Sequence, residues 1–196
     1  MKMQATPGQI QAEIYTTTPG ARVALYTAQG IRAQLLLWQA AALFKLTLPY
    51  NTPGGSILEI GTGAGYSTVI MAQAAPETRI ITLNPDGAER VTSLPTLANW
   101  RNVQSVQMSS WLFLDTYDGP RLDMIFVDGD HKRVAKDLPW WDLVASGGLM
   151  LFHDYSEHQC PPVYETLNKW RVELGREFDV LLVDSDGIGM AGFYKE

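Results

Sequence analysis

Apolar positions along the chain follow two rhythms: short unbroken runs that suit strands, and spacings of three or four residues that suit helices. Ser56–Ile60 is a short apolar run ending at Gly61, and residues 67–75 follow as an apolar, small-residue stretch of helical character. Arg79–Leu83 reads as the next strand, Asn84-Pro85-Asp86-Gly87 as a turn, and 103–108 as a third strand. Leu122–Val127 is almost wholly apolar, the pattern of a strand buried on both faces of a parallel sheet, and Asp128 ends it. Val134, Leu138, Trp141 and Ala145 then stand at helical spacing, with Pro139 expected to kink the helix and Gly147-Gly148 to end it. Residues 149–152 form a fifth strand, and Val163, Leu167, Trp170 and Leu174 make one helix stripe closed by Gly175. Finally, Val180–Val183 and Gly189–Tyr194 flank Asp184-Ser185-Asp186-Gly187, a hairpin turn.

Five strand-helix alternations and a terminal hairpin predict an α/β fold: a Rossmann-like, mostly parallel seven-stranded sheet with helices on both faces and an antiparallel C-terminal hairpin. A single domain is expected over 1–196, with 1–48 as an N-terminal helical cover and 55–196 as the core. Tyr15, Tyr26 and Trp38 in the cover are placed where substrate specificity would arise, although Trp38 also fits a core stripe with Ile31, Leu35 and Ala42. Ligands of such sheets bind beyond the carboxyl ends of the strands, near the reversal of strand order. Residues 59–67, Asn84, Ser109, 128–131 and His153-Asp154 all fall at predicted strand ends, so they should share one rim.

At 196 residues, 46% hydrophobic and 18% charged, the chain has globular composition. A net charge of -6 and a pI of about 5.0 argue against phosphate backbones and anionic lipid as partners. Cys160 is the lone cysteine and lies beside two prolines, which reads as an inert thiol. Residues 1–10 lack the apolar stretch of a signal peptide, and the most apolar stretch, 31–48, carries Arg32, Gln34, Gln39 and Lys45, too polar to span a bilayer. A cytoplasmic protein is the expectation.

In Glu59-Ile60-Gly61-Thr62-Gly63-Ala64-Gly65-Tyr66-Ser67, glycines between a strand and a helix allow a sharp turn and bring bare backbone against a ligand. Tyr66 stands where a dinucleotide loop carries its third glycine, which disfavours NAD, and Glu59 suits a cationic ligand better than a pyrophosphate. A sulfonium cofactor with an amino-acid end fits that charge.

These residues resemble motif I of the class I S-adenosylmethionine-dependent methyltransferases, a likeness that runs on over 55–195. Gly65-Tyr66-Ser67 and Phe126-Val127-Asp128-Gly129-Asp130-His131 are most similar to the metal-dependent small-molecule O-methyltransferases, the branch of the catechol and caffeoyl-CoA enzymes and related small bacterial methyltransferases. The resemblance implies that Glu59, Gly61, Thr62, Gly63, Gly65, Tyr66 and Ser67 bind S-adenosylmethionine, together with Asn84, Ser109, Ser110, Trp111 and Asp128. Asn84 stands where the family has a ribose-binding acid, a role for which Asp86 could compensate. Ser109 stands where the family has its adenine-binding acid, and Trp111 is either a stacking face or a core residue.

By the same resemblance Asp128, His153 and Asp154 fall on the three metal-ligand positions, for magnesium or manganese. The family's usual Asp and Asn at the last two are replaced, which either shifts preference toward manganese or a softer ion or leaves the site without metal. Their other reading is as polar caps of a strand. His131 stands at the position of the catalytic lysine, as general base or as a solvated helix-start residue, with Asp128 beside it in the catalytic set. Asp130 would bind cofactor or orient His131, and His158 reads as a loop residue. The implied function is O-methylation of a small hydroxylated substrate with divalent-cation help, without nucleic acid or membrane partners and with a homodimer left open. A non-catalytic or regulatory S-adenosylmethionine/nucleoside-binding protein, or a hydroxylase-like relative on the same fold, are the alternatives.

Overall fold

A computed structural model describes residues 30, 31 and 35–196; Tyr15, Tyr26 and the other predicted cover residues before 30 lie outside them. The helix α1 (Leu37–Thr47) leads through a short 3-10 turn (Leu48–Tyr50) into the strand β1 (Ser56–Ile60). Then follow α2 (Tyr66–Ala74), β2 (Arg79–Leu83), α3 (Gly87–Leu97), β3 (Val103–Val106), α4 (Ser110–Leu114) and β4 (Leu122–Val127). Two 3-10 turns (His131–Lys136 and Leu138–Leu143), β5 (Val144–Phe152), α5 (Pro161–Glu173), β6 (Val180–Val183) and β7 (Gly189–Tyr194) complete the chain.

The seven strands form one sheet in the order β3-β2-β1-β4-β5-β7-β6. All neighbours pair in parallel except β7, which is antiparallel to both β5 and β6. The sheet is therefore mostly parallel, and the antiparallel terminal hairpin is where the sequence places it. Side chains alternate across the pleat. Ile57, Met124 and Phe126 pack on one face with α1, α2 and Leu97 of α3, while Leu58, Ile125 and Val127 pack on the other with Trp140 and with Val163, Leu167 and Trp170 of α5. Trp38, Leu35 and Ala42 belong to the first of these cores, as the helical stripe implied. Among the described residues no helix is long and apolar enough to cross a membrane.

Three expectations need correction. The single kinked helix over Val134, Leu138, Trp141 and Ala145 is instead two 3-10 turns, and Ala145 and Gly147-Gly148 already lie within β5. Pro139 sits at the start of the second turn, and burial of Trp140 there wins over helical periodicity. The third strand stops at Val106, two residues early. The turn at 84–87 opens a helix that the sequence pattern did not predict: Asp86 caps α3 by accepting from the backbone N–H of Ala88 and Glu89 at 2.7 and 3.4 Å.

Candidate active site

The chain runs outward through β1, β2 and β3, then returns to place β4 on the other side of β1. At that switch point, Gly61 N–H donates to Leu83 O at 2.9 Å and Asp128 N–H donates to Ile60 O at 2.8 Å, which locks the three strand ends together. Gly61 has φ of 102°, and a Cβ there would stand 2.1 Å from the Asp128 carbonyl oxygen, so only glycine fits. Gly65, at φ of 89°, turns the chain into α2. Beyond the loop opens a cavity of about 630 Å³, walled by the ends of β1, β2 and β4 and by the segments after β3 and β5.

Glu59 is not in that wall. It is fully buried beneath the loop, and its carboxylate accepts hydrogen bonds from the hydroxyls of Ser67, Thr68 and Thr82. Burial drives its pKa up to about 7 against the pull of those three donors. Glu59 thus ties β1 to β2 and to the first turn of α2, shaping the loop from below. Its three hydroxyl donors all belong to the scaffold, so Glu59 would act on a cationic ligand through the loop it shapes. Ser67 is engaged in the same network, and Thr62 pairs with Thr82 at 2.6 Å. Thr62, Tyr66 and Ser67 line a smaller recess, with Leu35, Gly61 and Asp128, while Gly61 and Gly63 line the main cavity.

On the β2 side, Asn84 is buried at the cavity wall: Oδ1 accepts from Asp86 N–H and Nδ2 donates to Glu89 Oε2, both at 2.9 Å. After β3, Ser109 is buried with its hydroxyl unpartnered beside the cavity, whereas the Ser110 hydroxyl is held by the Asp137 carboxylate. Burial pushes Asp137 up to about 6, with the Ser110 bond pulling the other way. Trp111 is half-buried at the cavity wall, with Lys136 Nζ 4.7 Å and the Arg133 guanidinium 5.5 Å from its ring centroid, so it belongs to the pocket and not to either core.

Asp128, His131, His153 and Asp154 come together across the ends of β4 and β5. His153 N–H donates to Val127 O at 2.9 Å, and its ring is 5% exposed. Its Nδ1 stands 3.2 Å from Asp128 Oδ1 and 3.2 Å from Asp154 Oδ2, yet neither approach has the direction of a hydrogen bond, and Nε2 is also buried without a partner. Ligand atoms set about 2.1 Å from one octahedral cation stand roughly 3 Å apart, so this spacing fits a shared ion. Burial opposes charge on His153, but Asp128 and Asp154 outweigh it and push its pKa up to about 10; a proton there is what a cation would displace. Asp154 has φ of 54°, the positive-φ non-glycine among the described residues, and this turn swings its carboxylate between the two histidines. Burial would raise the Asp154 pKa, but the hydrogen bond from His131 and the positive charge of the neighbouring imidazoles hold it far below the carboxylate range.

His131 Nε2 lies 2.8 Å from Asp154 Oδ2, and this bond raises the imidazole pKa while partial burial opposes it. Asp130, by contrast, caps Lys132 N–H and pairs with Arg133, so Asp154 and not Asp130 orients the ring. Cys160 is no remote thiol: its Sγ is 3.7 Å from His131 Nδ1, at the mouth of α5. Burial and the two nearby aspartates raise its pKa. Nothing local in the sequence pointed to this contact, nor to Glu89, since both come from helices that meet the rim only in three dimensions.

Residues 58–155 match the model of a family described as a methyltransferase domain. A catechol O-methyltransferase of Niastella koreensis is 28% identical over 150 residues, covering 70% of this chain and 67% of the relative. The O-methyltransferase TomG of Streptomyces achromogenes, solved with S-adenosylmethionine, superposes with a TM-score of 0.67 at 18% identity over 99% of this chain and 100% of that one. The O-methyltransferase of Bacillus cereus, solved with S-adenosylhomocysteine, gives 0.65 at 18% identity over 96% and 97%. At such identities the structures speak for the fold, whereas the family match spans β1 through the end of the rim. With the glycine loop at the sheet's switch point and that match over it, the chain belongs to the methyltransferase-domain family and is a class I S-adenosylmethionine-dependent methyltransferase.

Proposed function

We propose that the chain methylates a hydroxyl group of a small substrate, with His131 as general base and a divalent cation held by Asp128, His153 and Asp154. The observation that carries this reading is Asp154, whose carboxylate lies within 3.2 Å of both histidines at the edge of the glycine-loop cavity. The unpartnered, buried nitrogens of His153 fit a cation, and the mixed set of two carboxylates and one imidazole suits manganese or magnesium.

When bound, S-adenosylmethionine supplies an activated methyl group, and the cation lowers the acceptor hydroxyl's pKa. The chain's own residues do the rest. Gly61 and Gly63 present bare backbone to the cofactor, Ser109 offers an unused hydroxyl, and Trp111 offers a ring face. Asp154 fixes a proton on Nε2 of His131, leaving Nδ1 as the basic nitrogen that takes the acceptor's proton; the carboxylate then stabilises the imidazolium. The Cys160 thiol lies 3.7 Å from that nitrogen.

The Niastella koreensis relative makes catechols the first acceptors to test. Mass spectrometry of products from the purified enzyme, S-adenosylmethionine and a panel of catechols, other phenols and sugars, with Mn²⁺ or Mg²⁺ and with chelator, decides the matter. Methylated hydroxyls that vanish on chelation are the expected result; methylation confined to nitrogen, sulfur or carbon, or indifferent to chelation, overturns it.

A further inference from the structure

We propose that Glu89 is the carboxylate that accepts the cofactor's ribose hydroxyls, and that Asn84 is the positioning residue that holds Glu89 in place; this rests on the cavity being the S-adenosylmethionine site. In sheets of this kind a carboxylate about twenty residues after the glycine turn meets the ribose. The end of β2 places Asn84 there, an amide with one acceptor oxygen. That oxygen is already engaged by Asp86 N–H at 2.9 Å. Asp86 gives Oδ1 to the cap of α3, and both bonds aim its carboxylate at the helix's own N–H groups.

Glu89 is the acid that Asn84 itself holds. It sits three residues after the Asp86 cap, where a glutamate ordinarily reaches back to the cap's backbone N–H. Asn84 Oδ1 has taken that N–H, so the ordinary role is closed. The glutamate turns instead toward Asn84 Nδ2, which donates to Oε2 at 2.9 Å, and its side chain joins the cavity wall beside Asn84. Among the described residues neither a salt bridge nor a second hydrogen bond engages Oε1. A carboxylate oxygen free at the wall, steadied through its twin, is a ready acceptor for a vicinal diol. The arrangement moves the acid from the strand end to the first turn of α3. The same charge repels a phosphate on the ribose, which sets the site against phosphorylated nucleosides.

Calorimetry tests this with S-adenosylhomocysteine and its 2′-deoxy analogue against the wild type, Glu89→Gln, Glu89→Ala and Asn84→Asp, with melting curves run alongside to show that each variant is folded. The wild type should prefer the ribose compound, and both Glu89 variants should lose about 10- to 100-fold in its affinity while binding the deoxy analogue nearly as the wild type does. Asn84→Asp should not tighten binding, because it sets a second carboxylate against Glu89. A purely structural role for Glu89 would weaken both compounds alike and overturns the proposal, as does tighter binding by Asn84→Asp. If the wild type binds neither compound, the cofactor reading itself falls and this one with it; if the wild type binds and the Glu89 variants match it, only this one falls.

Discussion

Asp154 Oδ2 lies 2.8 Å from Nε2 of His131, on a backbone turned to φ of 54°. A non-glycine residue held there costs about 1–3 kcal/mol, and what the turn achieves is to bring one carboxylate between a half-exposed imidazole and a buried one. On the proposed mechanism, orientation of the base and assembly of the cation site depend on the same side chain. Removing it should disturb both, whereas removing either histidine should disturb one.

That asymmetry can be measured. His131→Gln is expected to lower kcat by about 10²- to 10⁴-fold, the usual range for loss of a general base, while leaving S-adenosylhomocysteine affinity and Mn²⁺ affinity in place. Single-turnover rates beside calorimetry would show the split. A variant that keeps wild-type turnover would remove His131 from the chemistry.

For the cation, His153→Gln and Asp128→Asn should each weaken Mn²⁺ binding, and Asp154→Asn should weaken it and slow proton removal as well. Ligation through an imidazole favours manganese over magnesium, since the harder ion prefers an all-oxygen set. Electron paramagnetic resonance of Mn²⁺ titrated into the protein, with Mg²⁺ as competitor, reads both points. Equal affinity in wild type and the His153 variant would take that histidine out of the ligand set.

Much of the fold was legible because its strands are buried on both faces. Leu122–Val127 and Ser56–Ile60 have no polar face to blur their ends, so pattern and structure coincide. The segment 131–143 misled for the opposite reason: Val134 and Trp140 are buried by single 3-10 turns, and two such turns with a proline mimic the spacing of a helix. At the rim, strand ends predicted the meeting of Asp128, His153 and Asp154, because topology alone brings β4 beside β5. For Glu59 the sign of charge was legible but its depth beneath the loop was not. Glu89 and Cys160 were missed since each reaches the site from a helix start, where contact depends on crossing geometry that local pattern does not encode.

Gly61 tests the loop's geometry directly. In Gly61→Ala the new Cβ would stand 2.1 Å from the Asp128 carbonyl oxygen, backbone that cannot yield, and φ of 102° is hostile to any L side chain. A loss of about 3 kcal/mol or more in stability is expected, with S-adenosylhomocysteine binding lost even in folded protein. Urea denaturation and calorimetry check the two effects. Gly147→Ala is the control, because its added Cβ meets open space and its positive φ alone contributes a smaller loss.

Glu59 gives a pH dependence whose sign can be worked out. Burial raises its pKa from the ordinary 4.5 to about 7, so between those values the folded protein holds a proton that the unfolded chain has released. Stability must then fall as pH rises through that window and level off above about 7, by on the order of 3 kcal/mol at most. Glu59→Gln has no proton to lose but keeps an acceptor for the Ser67, Thr68 and Thr82 hydroxyls. Asp137 titrates in an overlapping window but is present in both proteins, so it cancels from the comparison. The difference in melting temperature, wild type minus Glu59→Gln, is therefore expected to drop by several degrees from pH 5 to pH 8. A difference that stays flat, or that grows with pH, would show that Glu59 is ionised in the folded state throughout and that the three hydroxyls outweigh its burial.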